Sequence, residues 1–134
     1  MRWKIPVILW ACTILFLTSM PKLEIEQVDF DASDKLAHFS VYFVFGYLTI
    51  RMFLQGYNLG WRSALIRSTI TGVVFAAFDE AHQLLIPGRS AEIWDAAADI
   101  AGVLAAQLIY VLLIWRAGGD KNVNLLIGPR YEKK

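Results

Sequence analysis

The chain has 134 residues, and at about 100–200 residues per domain that is one domain. Hydrophobic residues make up 57% and charged residues 19%, with 13 Lys and Arg against 12 Asp and Glu for a net charge of +1; mean hydropathy is +0.46. Such a chain is too apolar and too nearly neutral for intrinsic disorder. It has no basic stripe for nucleic acid, and its single Cys12 excludes an internal disulfide or a cysteine-based zinc site.

A helix that crosses the hydrocarbon core needs about 20 mainly apolar residues, with a range of about 17–25. The first such stretch covers about residues 3–20 and has no charge between Ile5 and Met20. Met1-Arg2-Trp3-Lys4 would suit a signal peptide, but Leu17-Thr18-Ser19-Met20-Pro21 lacks the small-residue cleavage pattern. Leu9-Trp10-Ala11-Cys12 faintly resembles a lipoprotein box, yet the apolar run continues past it. Retention as a membrane helix is therefore expected. The second stretch covers about residues 36–54, broken by His38 and Arg51, and the third about residues 63–86. Pro87-Gly88-Arg89-Ser90 reads as a tight turn into the fourth, about residues 93–115. The expected fold is an all-α membrane protein, a four-transmembrane-helix bundle. Residues 1–117 form the transmembrane domain and 118–134 a loosely held cytoplasmic tail, whose residues 123–127 could rest against the membrane surface.

Orientation follows from positive charge in the short loops. Arg2, Lys4, Arg51, Arg62, Arg67, Arg116, Lys121, Arg130, Lys133 and Lys134 fall on one side of a four-span topology; only Lys22, Lys35 and Arg89 fall on the other. Both termini are thus expected in the cytoplasm. Only Asp120 and Glu132 among the acids lie in the tail; Glu24, Glu26, Asp29, Asp31, Asp34, Asp79, Glu80, Glu92, Asp95 and Asp99 lie toward the outside.

Helical spacing turns that asymmetry into a site. At about 3.6 residues per turn, Asp34, Lys35, His38 and Tyr42 share an arc of about 100° on the second span. Asp79, Glu80 and Gln83 share one near the exit of the third, with His82 at its edge. Glu92, Asp95, Asp99 and Gly102 share one on the fourth. Three polar stripes thus meet at one depth. Ionisable groups there cost about 2.5–3.5 kcal/mol each at a helix centre and usually face a bundle interior or a watery cavity. One reading is an ion-pair network that holds the helices together. The other, favoured by the surplus of acids, is a hydrated cleft for a polar ligand in which Arg89 could meet a phosphate or headgroup.

Gly46, Gly72 and Gly102, with several alanines, read as close-packing positions. Trp3, Trp61, Trp94 and Trp115 fall at interfaces, and Trp10 is assigned to packing. Ser40 and Ser90 lie within reach of His38 or His82 but outside any nucleophile motif. Oxygen-rich ligands from Asp79, Glu80, Asp95 and Asp99 with His38 or His82 would suit a hard cation such as Mg, Ca or Mn. That spacing is not diagnostic, so no metal and no cofactor is assigned. An ion pore is not expected, because the inner halves of the spans show no matching polar residues.

These motifs resemble those of the VanZ-like membrane proteins. Asp34-Lys35-Leu36-Ala37-His38-Phe39-Ser40-Val41-Tyr42 is similar to the family's Asp-Lys-x-x-His-Phe-x-x-Tyr opening. Asp79-Glu80-Ala81-His82-Gln83 with Pro87-Gly88-Arg89-Ser90 is similar to its Asp-Glu-x-x-Gln and Pro-Gly-Arg segment. Asp95-Ala96-Ala97-Ala98-Asp99-Ile100-Ala101-Gly102 matches its Asp-x-x-x-(Asp or Asn)-x-x-Gly segment, and a glycine often found next in relatives is Ala105 or Ala106 here. The resemblance spans about residues 5–115. It implies a bacterial cytoplasmic-membrane protein with a role near the cell envelope, like the factors that confer resistance to the glycopeptide teicoplanin.

Three functions compete. The first is an envelope or resistance factor that binds a lipid-linked cell-wall precursor or lipoglycopeptide through Asp34, Lys35, His38, Tyr42, Asp79, Glu80, Gln83, Arg89, Asp95 and Asp99. The second is a small membrane-embedded enzyme on a polyprenyl or phospholipid substrate, with Asp79, Glu80 and His38 as catalytic candidates. The third is an assembly partner of another membrane protein. Membrane lipids are partners in all three, nucleic acid in none, and self-association into a homo-oligomer stays open.

Overall fold

A computed structural model describes residues 2–20 and 32–127, with side chains of the last helix as far as Arg116 apart from Trp115. The described residues form four α-helices and no strand: α1 (Lys4–Thr18), α2 (Ala32–Arg51), α3 (Trp61–Gln83) and α4 (Ile93–Ile127). The acids Glu24, Glu26, Asp29 and Asp31, with Lys22, lie outside the described residues, as do 128–134. α4 continues well past Trp115, where the fourth stretch was expected to end.

Local sequence explains the boundaries. Pro6 falls in the first turn of α1, where amides have no intrahelical partner to lose. α2 ends in a π-helical turn, Met52–Gly56. The connection between α3 and α4 turns at Gly88, whose φ of 76° suits a residue without Cβ.

The helices alternate in direction. Trp3 at the start of α1 meets Gly56 after α2, whereas Thr18 at the end of α1 meets Asp79 near the end of α3. Lys35 at the start of α2 meets Asp95 at the start of α4. α2 and α4 approach most closely because two glycines interlock. A Cβ on Gly46 would stand 2.7 Å from the Cα of Val103, and one on Gly102 would overlap the carbonyl of Phe39. Around this crossing, Val7, Ile14, Tyr42, Phe45, Ala76 and Val103 form one apolar cluster, with Phe45 and Phe75 stacked at 4.8 Å. A second cluster joins Ile50, Leu54, Ala64 and Tyr110. Trp10 does more than pack: its Nε1 donates to the carbonyl of Val41 at 2.8 Å and so ties α1 to α2.

Burial is inverted relative to a water-soluble bundle. On α3, Ile66, Ile70, Val74 and Phe78 are 55–63% exposed, one turn apart, while Ser68, Asp79 and Gln83 are buried. Isolated exposed apolar residues are ordinary, but a continuous stripe opposite buried polar groups is informative. Ala32–Gly56 and Ile93–Ile114 are each long and apolar enough to cross a membrane. The other two expected spans depart from that standard for different reasons. α1 has 15 residues, about 22 Å at 1.5 Å per residue against a hydrocarbon core of about 30 Å. α3 is long enough but carries Arg62, Arg67, Asp79 and Glu80.

The half of the bundle nearer Trp61 also holds polar groups that were not expected there. Thr49 Oγ1 and Ser68 Oγ are 2.7 Å apart, and Thr69 Oγ1 donates to Gln107 Oε1 at 3.1 Å. All are neutral, and such pairs join transmembrane-type helices through hydrogen bonds.

Candidate functional site

All ten candidate binding residues sit at one end of the bundle, where α2 and α4 begin and α3 ends. Lys35, His38 and Tyr42 lie along the buried face of α2, with Asp34 half-buried at its start. Asp79, Glu80 and Gln83 are the last buried residues of α3. Asp95 and Asp99 are buried one and two turns into α4, at 3% and 0% exposure. Arg89 stands half-buried in the turn between them.

Part of the cluster is internally paired. Lys35 Nζ donates to Asp95 Oδ1 at 2.6 Å and to Glu92 Oε2 at 3.0 Å. The Lys35 side chain is 10% exposed and that of Asp95 4%, so the bridge between them is effectively buried. Asp79 accepts from Thr18 Oγ1 at 2.7 Å on one oxygen and from Tyr42 OH at 3.3 Å on the other. Among the described residues, hydroxyl donors and not a cation hold this fully buried carboxylate.

The rest of the cluster is only partly paired. His38 is the hinge between the two parts: its Nδ1 lies 3.0 Å from Asp99 Oδ1 and its Nε2 lies 3.9 Å from Asp95 Oδ2. Glu80 Oε2 accepts the backbone N–H of Glu92 at 2.9 Å. That amide opens α4, where a carboxylate also gains from the helix dipole. Yet among the described residues Glu80 Oε1, Asp99 Oδ2, Gln83 Nε2 and His82 Nδ1 are buried and find no hydrogen-bond partner. Arg89 Nη1 donates to Gln83 Oε1 at 3.2 Å and its Nε to the Met20 carbonyl at 2.9 Å. One ligand atom each from His38, Glu80 and Asp99 falls within 4.8 Å of the others, and the same holds for Asp34, His38 and Asp95.

Two contributors were absent from the sequence-derived set. Thr18 is the larger surprise; its signal was a polar residue on the otherwise apolar buried stripe Val7–Ile14–Thr18. Glu92 shared a face with Asp95 and Asp99 in the sequence, and its bridge to Lys35 makes it part of the cluster. Ser40 forms no nucleophilic arrangement, because its Oγ donates to the carbonyl of Leu36 on its own helix at 2.6 Å.

Residues 5–115 match the family model described as VanZ/LLP1. No curated protein and no solved structure matches the chain. The family match covers most of the sequence, and the chain belongs to that family.

Proposed function

We propose that this VanZ/LLP1-family chain is a multi-pass protein of the bacterial cytoplasmic membrane, with four membrane-crossing helices and both termini in the cytoplasm. Its acidic cluster faces outward and binds the polar part of a lipid-linked cell-wall precursor or of a lipoglycopeptide such as teicoplanin. The exposed apolar stripe of α3 supports a lipid-facing third helix. Arg2, Lys4, Arg51, Arg62 and Arg67 gather at the end opposite the cluster, as cytoplasmic loops require.

The observation that carries the ligand reading is the incompletely paired part of the cluster. A network whose task is only to hold helices together satisfies its buried polar groups, since an unmade hydrogen bond costs about 1–3 kcal/mol. Here Glu80, Asp99 and Gln83 each keep one atom open among the described residues. Carboxylate oxygens accept from hydroxyls and amines, and the half-buried Arg89 guanidinium suits a phosphate or carboxylate.

The His38–Asp99 contact favours a second reading, a membrane-embedded enzyme on a polyprenyl or phospholipid substrate. In it, Asp99 orients the imidazole and Glu80 has an oxygen open to act as acid or base. Asp79 is the weakest of the catalytic candidates, because both of its oxygens are already engaged.

The test is binding to the full chain in lipid nanodiscs, with teicoplanin and a short-chain lipid-linked precursor as probes. At least one should bind saturably, and Arg89→Ala and Gln83→Leu should weaken it while the variants remain folded. Failure of both probes, or equal affinity in the variants, would overturn the reading and leave the enzyme and assembly-partner roles.

A further inference from the structure

We infer that His38, Glu80 and Asp99 form a binding site for one divalent cation of the Mg²⁺–Mn²⁺ class. Spacing along the chain carries no metal-ligand signature, because the three residues come from three helices. Their ligand atoms nevertheless converge within 4.8 Å, and all three residues are buried.

The distances fit an ion. Ligands on opposite sides of a metal with bonds of about 2.1 Å are about 4.2 Å apart, and adjacent ones about 3.0 Å. His38 Nδ1 and Asp99 Oδ1 are 3.0 Å apart, the spacing of an adjacent pair. A cation at this point that took Glu80 Oε1 and both oxygens of Asp99 would also relieve the orphaned atoms. Glu80 and Asp99 are at least nine-tenths buried, and each has one oxygen with no partner among the described residues. Two carboxylates and a neutral imidazole then neutralise a divalent charge, with water filling the remaining positions. A mixed oxygen and imidazole set suits Mn²⁺ well.

The second layer is also in place. A metal-bound imidazole usually donates its other N–H to a carboxylate, which fixes the ring. Asp95 Oδ2 lies on that side of His38, 3.9 Å from Nε2, and Asp95 is itself held by Lys35. The ion would occupy the Glu80 and Asp99 oxygens left open above, so a ligand from outside would meet the ion, Gln83 and Arg89 and not the bare carboxylates.

The full chain in detergent, stripped with a chelator, is titrated with MnCl₂ while electron paramagnetic resonance reads the free aqua ion. Binding should saturate at one ion per chain, with modulation from an imidazole nitrogen in the bound spectrum. Glu80→Gln and Asp99→Asn should each weaken binding at least about tenfold, whereas Thr69→Val, a control in the other half of the bundle, should not. The inference fails if the wild-type titration shows no saturable site, if bound Mn²⁺ lacks nitrogen coupling, or if both carboxylate variants bind as tightly as wild type. The wild-type titration and the nitrogen signal remain decisive even if a variant does not fold.

Discussion

The two ends of the bundle use charge in opposite ways. At the acidic end, Lys35, His38, Asp79, Glu80, Asp95 and Asp99 point inward and are buried. At the other end the cations lie over aromatic rings: Arg2 and Arg51 stand 5.1 and 4.8 Å from the Trp3 ring, and Lys4 5.0 Å from that of Tyr57. Arg2, Trp3, Pro6, Leu48 and Arg51 line a cavity of about 320 Å³ there. A cation over an exposed ring keeps most of its hydration and gains little, about 0.5–1 kcal/mol. A buried charge has lost its hydration and depends on its partner. Charges at the aromatic end are therefore replaceable, and those at the acidic end are not.

The largest expected effect breaks one end and spares the other. Lys35→Met leaves Glu92 and Asp95 without their cation and should cost about 3–5 kcal/mol. Arg51→Met should cost no more than about 1 kcal/mol. Thermal unfolding in one detergent measures both, and similar losses would erase the contrast.

A smaller effect sharpens the picture inside the acidic end. Thr18→Val removes a 2.7 Å donor from the buried Asp79, worth about 1.5–3 kcal/mol for a bond to a charged group. Tyr42→Phe removes a 3.3 Å donor from the same carboxylate and should cost less, about 1 kcal/mol. A double-mutant cycle should show the two substitutions to be non-additive, since they share one acceptor.

The smallest effect is that of salt. Raising ionic strength from about 0.1 to 1 M shortens the screening length from about 10 to 3 Å. The penalty of Lys35→Met should persist, because the pair it breaks is buried, while that of Arg51→Met should shrink toward zero. Melting curves of wild type and both variants at the two salt levels decide this.

Much of the arrangement was legible along the chain. The tight turn at Pro87-Gly88 is present, and Gly46 and Gly102 lie where helices touch. Nine of the ten candidate site residues follow from helical periodicity, which places residues three and four apart on one face, and Arg89 from the turn that holds it. Span length was less legible: hydropathy sees composition, whereas a helix ends where its backbone hydrogen bonds end, so α1 closes at Thr18.

By itself, the sequence determined the family, the all-helical class, the alternation of the helices and which faces carry the polar residues. Each of these depends on local periodicity or on motifs read in order. Only the tertiary structure decided who meets whom. Nothing in the chain couples Thr18 to Asp79 across 61 positions, or His38 to Asp99 across another 61. It also separated the paired part of the cluster from the part with open oxygens. That division depends on distances of a few ångströms between helices, set by the glycine-mediated crossing of α2 and α4 and invisible to spacing within any one of them.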